Sequence, residues 1–213
     1  MPKETKEVSE SVIKRMSFYS QILEKLKTKD VEFISIQQLE EKFGLNVIRF
    51  RKDLACFGEF NMQELVMNQW EVDKLLSKLK KILGLNKKQK AILIGGGRIG
   101  TALTDFNQKE KNSEVKIKSV FDNDPEKIGT KIGELEIKPV SKVPQVVKEI
   151  NPEIGIITVS NQTAQQVADL LIENGIKVLL NFASIHVEVP EEVYLQNIDL
   201  TLEMRKLMYY SNS

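Results

Sequence analysis

The stretch Ala91-Ile92-Leu93-Ile94-Gly95-Gly96-Gly97-Arg98-Ile99-Gly100-Thr101-Ala102-Leu103 constrains this chain more than any other. Four apolar residues run into a Gly-x-Gly-x-x-Gly turn, and helical spacing follows. Such a run reads as a buried parallel strand, a tight turn and a helix N-terminus in one piece. Gly95 permits the turn, Gly97 lets the backbone approach a pyrophosphate because it has no Cβ, and Gly100 lets helix and strand pack closely. Phosphates fit against the free N–H groups at the positive end of such a helix. The motif alone is weak, so its meaning depends on what surrounds it.

Downstream, strand and helix alternate. A helix runs from Arg98 towards Gln108, and a strand from Ile117 to Phe121 closes on Asp122. Gly129 to Val140 reads as irregular chain with short extended pieces, and Pro144 to Ile150 as a short helix with Pro in its first turn. Strand Ile154–Val159 feeds a helix from Thr163 to Glu173, stopped by Asn174-Gly175. Strands Ile176–Asn181 and Val193–Ile198 follow, then a last helix from Leu200 to Tyr210. This alternation predicts a parallel sheet with helices on both faces. Asp122 lies about twenty residues beyond the turn, where an acid accepts hydrogen bonds from the adenosine ribose and repels a 2′-phosphate. The site therefore favours NAD over NADP. Asp124-Pro125-Glu126-Lys127 reads equally as a capped turn or as ligand contacts. The alternative ligand is another phosphorylated molecule, such as coenzyme A.

The upstream part has a different character. After a charged lead (Met1 to Glu7), Ser9 or Ser11 can cap a helix carrying Val12, Met16, Tyr19, Leu23 and Leu26 at three- and four-residue steps. Ser35-Ile36-Gln37-Gln38 has the form of a capping box, Gly44 supplies a stop and Asn46 a second cap. Two short helices joined through Gly44-Leu45-Asn46 read as a helix-turn-helix. In the second, Val47, Phe50, Leu54 and Phe57 form an apolar face, while Arg49, Lys52, Asp53 and Cys56 share another, with Arg51 beside it. A recognition helix needs this division, because long cationic side chains must reach base edges and phosphates. The same residues also suit a merely solvated face. From Gly58 to Trp70 the chain carries two acids and no Lys or Arg, and Glu71 to Leu83 returns to helical spacing.

Composition narrows the function classes. A formal charge of +1 over 213 residues provides no global basic field, so any DNA contact must be local. The single Cys56 excludes an internal disulfide and reads as a small apolar helix residue. There is no leader-like opening and no apolar run of about 18 residues, so we expect a soluble cytoplasmic protein without a membrane span. The lone His186 has no evident catalytic partner. No catalytic residues and no metal ligands are predicted, and the chain is not expected to be an enzyme. The basic connector Lys87-Lys88-Gln89-Lys90 puts a domain boundary near residue 85.

Taken together, these motifs identify the chain as similar to the Rex family of redox-sensing bacterial repressors. The resemblance is carried by Lys14 to Tyr19, Arg51-Lys52-Asp53-Leu54, Phe57-Gly58-Glu59-Phe60 and Ile82-Leu83-Gly84-Leu85. It continues through Gly95 to Leu103, Phe121 to Gly129, Ala164 to Asp169, Leu180-Asn181-Phe182 and Ile198 to Glu203. It implies a winged-helix DNA-binding domain over 1–84, with the helix-turn-helix about 18–57. A doubly wound Rossmann domain over 85–199 and a dimer-swapped helix over 200–213 would follow. It implies NAD(H) as coenzyme, double-stranded operator DNA and a second copy as partners, and DNA release by NADH. The expected coenzyme contacts are Gly95, Gly96, Gly97, Arg98, Ile99, Gly100, Asp122, Asp124, Lys127, Thr158, Val159, Asn181 and Phe182. The expected DNA contacts are Asn46, Arg49, Arg51 and Lys52. Arg15, Phe106 and Asp199 stand where the family couples the two, with Arg15–Asp199 as a candidate pair.

The sequence also departs from the family pattern. Asn61 to Trp70 lacks the glycines and charges of the family's wing. Phe106 stands in place of a tyrosine, Arg98 in place of a small amide, and Ser160 and Ser184 where prolines are common. Two alternatives follow: a paralogue with a lost or altered NADH response, and a small NAD-dependent oxidoreductase.

Overall fold

In the computed structural model, which describes residues 8–111 and 113–211, the chain divides into two compact units, Met1–Lys87 and Lys88–Ser213. The charged lead Met1–Glu7 lies outside the described residues.

In the first unit, α1 (Glu10–Lys27) is followed by β1 (Phe33–Ser35), α2 (Ile36–Phe43), α3 (Val47–Ala55), α4 (Met62–Val66), β2 (Gln69–Glu71) and α5 (Val72–Ile82). Local chemistry sets these boundaries. Ser35 and Gln38 form a reciprocal capping box on α2, Gly44 ends it at φ +64°, and the Asn46 side chain accepts from the Arg49 N–H to start α3. Ser9 is the residue before α1, but its hydroxyl meets the Ser11 hydroxyl at 3.1 Å and accepts no helix N–H, so the side-chain cap expected there is absent. Met16, Leu23, Ile34, Leu39, Phe50, Leu54 and Leu79 are the innermost residues. Tyr19, Phe50 and Trp70 stack edge to face at 4.8 and 5.4 Å, tying α1, α3 and β2 together. β1 and β2 pair antiparallel, Ile34 opposite Trp70. The acidic stretch after α3 folds as the single helical turn of α4, capped by Asn61 and Glu64, and leads directly into β2.

The second unit is a seven-stranded sheet in the order β5-β6-β4-β3-β7-β8-β9. Its strands are β3 (Gln89–Ile94), β4 (Val115–Asp122), β5 (Lys131–Ile132), β6 (Leu135–Pro139), β7 (Ile154–Ile157), β8 (Val178–Asn181) and β9 (Tyr194–Asn197). The helices are α6 (Arg98–Lys109), α7 (Val143–Ile150), α8 (Ala164–Glu173) and α9 (Leu200–Ser211). Every strand pair is parallel except β5–β6. From Ala91 to Ile94, β3 reads as an unbroken apolar run because both its faces are covered. Ile92 and Ile94 join the core beneath α7 and α8, while Ala91 and Leu93 join the core on the other face.

The stretch 129–140 corrects the sequence reading. It contains β6, which pairs parallel to β4 from Val120–Ile137 to Asp122–Pro139 and extends the main sheet. Its length and mixed polarity hid it, since an edge-side strand of five residues carries only one buried side chain. α9 is exposed throughout, including Leu200, Met204, Leu207 and Met208.

Candidate functional site

The chain order reverses at β3, since β4 lies on one side of it and β7 on the other. Ligands of open α/β sheets bind at such a switch point, beyond the carboxyl ends of the strands. Here a cleft of about 300 Å³ opens there, lined among others by Gly95, Gly97, Asp122, Lys127, Thr158 and Val159. The glycines are required by space. Gly95 sits at φ +110°, and a Cβ there would fall 2.7 Å from the Thr158 carbonyl. A Cβ on Gly100 would fall 2.0 Å from the Gly95 carbonyl oxygen, so this residue sets the approach of α6 to the turn. Gly97 faces open space, with nothing within 4 Å of where its Cβ would be. It precedes the first turn of α6, whose leading N–H groups have no partner inside the helix. Open space in front of unpaired N–H groups fits a pyrophosphate.

Asp122, at the end of β4, forms the other wall. Its Oδ2 accepts from the Gly96 N–H at 2.8 Å and from Lys127 Nζ at 3.3 Å, and its Oδ1 accepts from the Asp124 N–H at 2.9 Å. Burial pushes the carboxyl up, but the Asp124 N–H, Lys127 and the Gly96 N–H outweigh it and hold it below the usual carboxylate range. Lys127 lies 3.3 Å from both Asp122 and Asp124, so two acids face one cation and the corner stays negative. Such a corner accepts a ribose diol and disfavours a phosphorylated ribose. The residues present therefore fit a dinucleotide.

The remaining expected contacts divide. Thr158 donates through Oγ1 to the carbonyls of Ile94 and Gly95, at 3.1 and 2.8 Å, and so fastens β7 to the turn. Val159 lines the cleft beside it. Arg98 and Ile99 are exposed on the first turn of α6. Asn181 is fully buried, and its amide is spent within the unit on Ala183 and Asn197. Phe182 packs into the core. Neither Asn181 nor Phe182 is among the residues that line the cleft. Phe106 is 69% exposed on α6.

On α3 the structure redraws the outward face. Ile48, Arg49, Lys52, Ala55 and Cys56 are exposed. Asp53, expected among them, is 3% exposed and points inward. Arg15 reaches it through Nε at 2.7 Å and Nη2 at 2.8 Å, and the Tyr19 hydroxyl donates to it at 2.9 Å. Burial raises this carboxyl, but Arg15 and Tyr19 outweigh it and keep it low. The Tyr19 phenol is pushed up to about 12, by burial first and then by Asp53. Arg51, also expected on the DNA side, turns towards the segment after α4. Its Nη2 donates to the carbonyls of Val66 and Met67 and to Asn68 Oδ1, at 3.1 to 3.5 Å. Cys56 is exposed, not packed as an apolar helix residue, and its thiol donates to the Lys52 carbonyl.

Asp199 caps α9, accepting from the Thr201 and Leu202 N–H groups and from the Ser184 hydroxyl. Arg15 and Asp199 thus each have partners within their own units. His186 is exposed. Among the described residues no group of acids, His and Cys is placed to hold a metal, and no helix is long and apolar enough to cross a membrane.

Comparison with known proteins covers both units. A family described as "Putative DNA-binding protein N-terminus" matches residues 7–55, and one described as "CoA binding domain" matches residues 86–185. The redox-sensing transcriptional repressor Rex of Clostridium perfringens is 39% identical over 207 residues, 97% of this chain and 96% of the relative. That of Clostridium tetani is 37% identical over 205 residues, 96% and 95% of the two chains. Among solved structures, the Rex-family repressor RSP in complex with β-NAD+ and operator DNA matches with a TM-score of 0.88 at 35% identity, covering 97% of this chain and 94% of that one. RSP in complex with β-NADH matches at 0.85 and 34%, covering 97% and 95%. With identity of this level running through both units, the chain belongs to the Rex family of redox-sensing transcriptional repressors.

Proposed function

We propose that this chain is a homodimeric repressor that senses the NADH/NAD+ ratio, binding operator DNA through α3 and releasing it when NADH occupies the glycine cleft. One observation carries the reading. A single chain holds both an outward cationic helix face, with Arg49 and Lys52, and a glycine cradle walled by an ionised Asp122. A sensor needs both, because a coenzyme can shift DNA affinity only if one molecule binds the two ligands.

At the cleft, Gly95, Gly96, Gly97 and Gly100 shape the turn, and the N–H groups of Arg98 and Ile99 meet the pyrophosphate. Asp122, with Asp124 and Lys127 beside it, takes the ribose hydroxyls, and Thr158 and Val159 form the opposite wall. Asn181 and Phe182 support that wall from behind. On the DNA side, Arg49 and Lys52 reach the major groove, Asn46 starts the helix that carries them, and Arg51 holds the segment at residues 66–68 in place. The exposed Leu200, Met204, Leu207 and Met208 of α9 suit burial against a second copy. Arg15, Phe106 and Asp199 are the proposed route between coenzyme and DNA. Asp122 and Lys127 in the cleft lining are paired with each other at 3.3 Å, and no His or Tyr joins them there, which supports a regulator over an oxidoreductase. A protein acting on bacterial DNA works in the cytoplasm.

Phe106 supports a second reading, a Rex-type regulator whose NADH response is altered, because an exposed phenyl ring cannot hydrogen-bond as a tyrosine does. One experiment separates the two. NADH, NAD+ and coenzyme A are titrated into the full-length protein bound to DNA from its own upstream region. Release by NADH alone is the expected result. Indifference to NADH with DNA binding intact selects the altered regulator, and the absence of any DNA complex overturns both.

A further inference from the structure

We propose that Ile48 is a base-reading residue, packing its side chain on the C5-methyl group of a thymine when α3 enters the major groove. The inference rests on the DNA-binding reading above and adds to it a specificity contact that the charged residues cannot provide.

The geometry of α3 points to this residue. Val47, Phe50 and Leu54 fill the inner face, Asp53 is buried against Arg15, and Arg51 is drawn to the carbonyls of residues 66 and 67. Ile48, Arg49 and Lys52 therefore make up the outward surface of the helix from Val47 to Lys52. Ile48 is 68% exposed, and it precedes Lys52 by four residues, so the two are neighbours on the helix surface, with Arg49 exposed one residue on. A single exposed apolar residue is ordinary on a protein surface. What distinguishes Ile48 is its position on a helix whose N-terminal residues are the ones that meet base edges. It is also β-branched at an exposed helix site, where Ala, Gln or Lys has the better helix propensity. Local stability and solubility thus both argue against Ile there, and a contact with an apolar partner argues for it.

The chemistry of the groove selects the partner. Guanine, adenine and cytosine present only hydrogen-bonding groups in the major groove, and thymine alone adds a methyl group. Isoleucine has no hydrogen-bonding atom in its side chain, so it discriminates through that methyl or not at all. Arg49 and Lys52 beside it would anchor the helix on phosphates or a guanine edge and hold Ile48 at a fixed depth.

The test uses the full-length protein and the duplex it selects from a random DNA pool. Each thymine of that duplex is replaced in turn by uracil, which removes the methyl and nothing else. One thymine in each half-site is expected to lose about fourfold in affinity on replacement, the value of burying one methyl group. Ile48→Ala is expected to bind the thymine and uracil duplexes equally at that position, and Ile48→Val to keep part of the difference. Both variants change an exposed side chain, and their melting temperature should match that of the parent. The proposal is overturned if the parent is indifferent to uracil at every position, or if Ile48→Ala keeps the full thymine preference. Either result leaves DNA binding standing. If the pool yields no enriched sequence, the DNA-binding reading falls and this one with it.

Discussion

The two sites are made of different material. The cleft of the second unit is built from backbone: three glycines whose missing Cβ atoms make room, a helix N-terminus, and an acid held by two backbone N–H groups. The α3 surface of the first unit is built from side chains, and which of them faces outward is decided by what packs behind the helix. Two acids make the contrast concrete. Asp122 and Asp53 are both partly shielded from water and both held below the usual carboxylate range. Asp122 remains at the edge of an open cleft with a lysine beside it. Asp53 is sealed by Arg15 and Tyr19 and serves to tie α3 to α1. A depressed carboxyl thus marks either a binding wall or a structural tie, and only its surroundings tell which.

The strongest way to break this contrast is Gly100→Ala. Its Cβ meets the Gly95 carbonyl at 2.0 Å, backbone against backbone with no flexible end to yield. We expect about 3 kcal/mol or more of destabilisation in the second unit and loss of NADH binding, read by melting and by NADH titration. An alanine there that binds NADH normally would show that the cradle is not sterically set.

Asp53→Asn should come next, at about 2–3 kcal/mol in the first unit, because it removes the charge that Arg15 and Tyr19 are arranged around. The carboxyl is lowered when folded, so its contribution is full above the unfolded value of 3.8 and fades as pH falls through the folded value below that. The first unit should therefore lose stability below about pH 4, and the Asn variant should lose less over the same range. Tyr19 works in the opposite direction. Its hydroxyl contribution holds below the unfolded value of 10.0 and disappears as pH rises through about 12.

Asp122→Asn should leave folding nearly unchanged and weaken NADH about tenfold, while narrowing the margin over NADPH. Equal NADH affinity in this variant would reduce Asp122 to a second structural tie like Asp53. Smallest is Lys52→Ala, expected to weaken operator binding less than tenfold and to lower the salt slope by about 0.9 for each phosphate that the lysine neutralises. An unchanged slope would remove Lys52 from the DNA face.

How much of this could be read in advance follows the same division. The Gly turn, the strand before it and Asp122 were legible because steric rules tie particular residues to particular backbone shapes at fixed spacing. The caps at Ser35, Gly44 and Asn46 were legible for the same reason. Asp53 was misread because helical spacing shows which residues share a face and not what that face meets. Arg15, 38 positions away, is what turned it inward. The acceptors of Arg51 were hidden in the same way, since they lie 15 to 17 residues on. β6 was legible only as a short extended piece and not as a strand of the main sheet, because that place comes from pairing with β4 and not from its own side chains.

Local shapes follow from the residue order alone: which turn can take a pyrophosphate, where helices start and stop, and that two units of different character follow one another. Those follow from sterics and hydrogen bonding among near neighbours, which do not need the rest of the chain. The tertiary structure alone decided which charges are spent inside and which are presented. That choice depends on partners distant in sequence, as with Arg15 for Asp53 and the 66–68 segment for Arg51. The same choice left Ile48 standing outward beside Arg49 and Lys52.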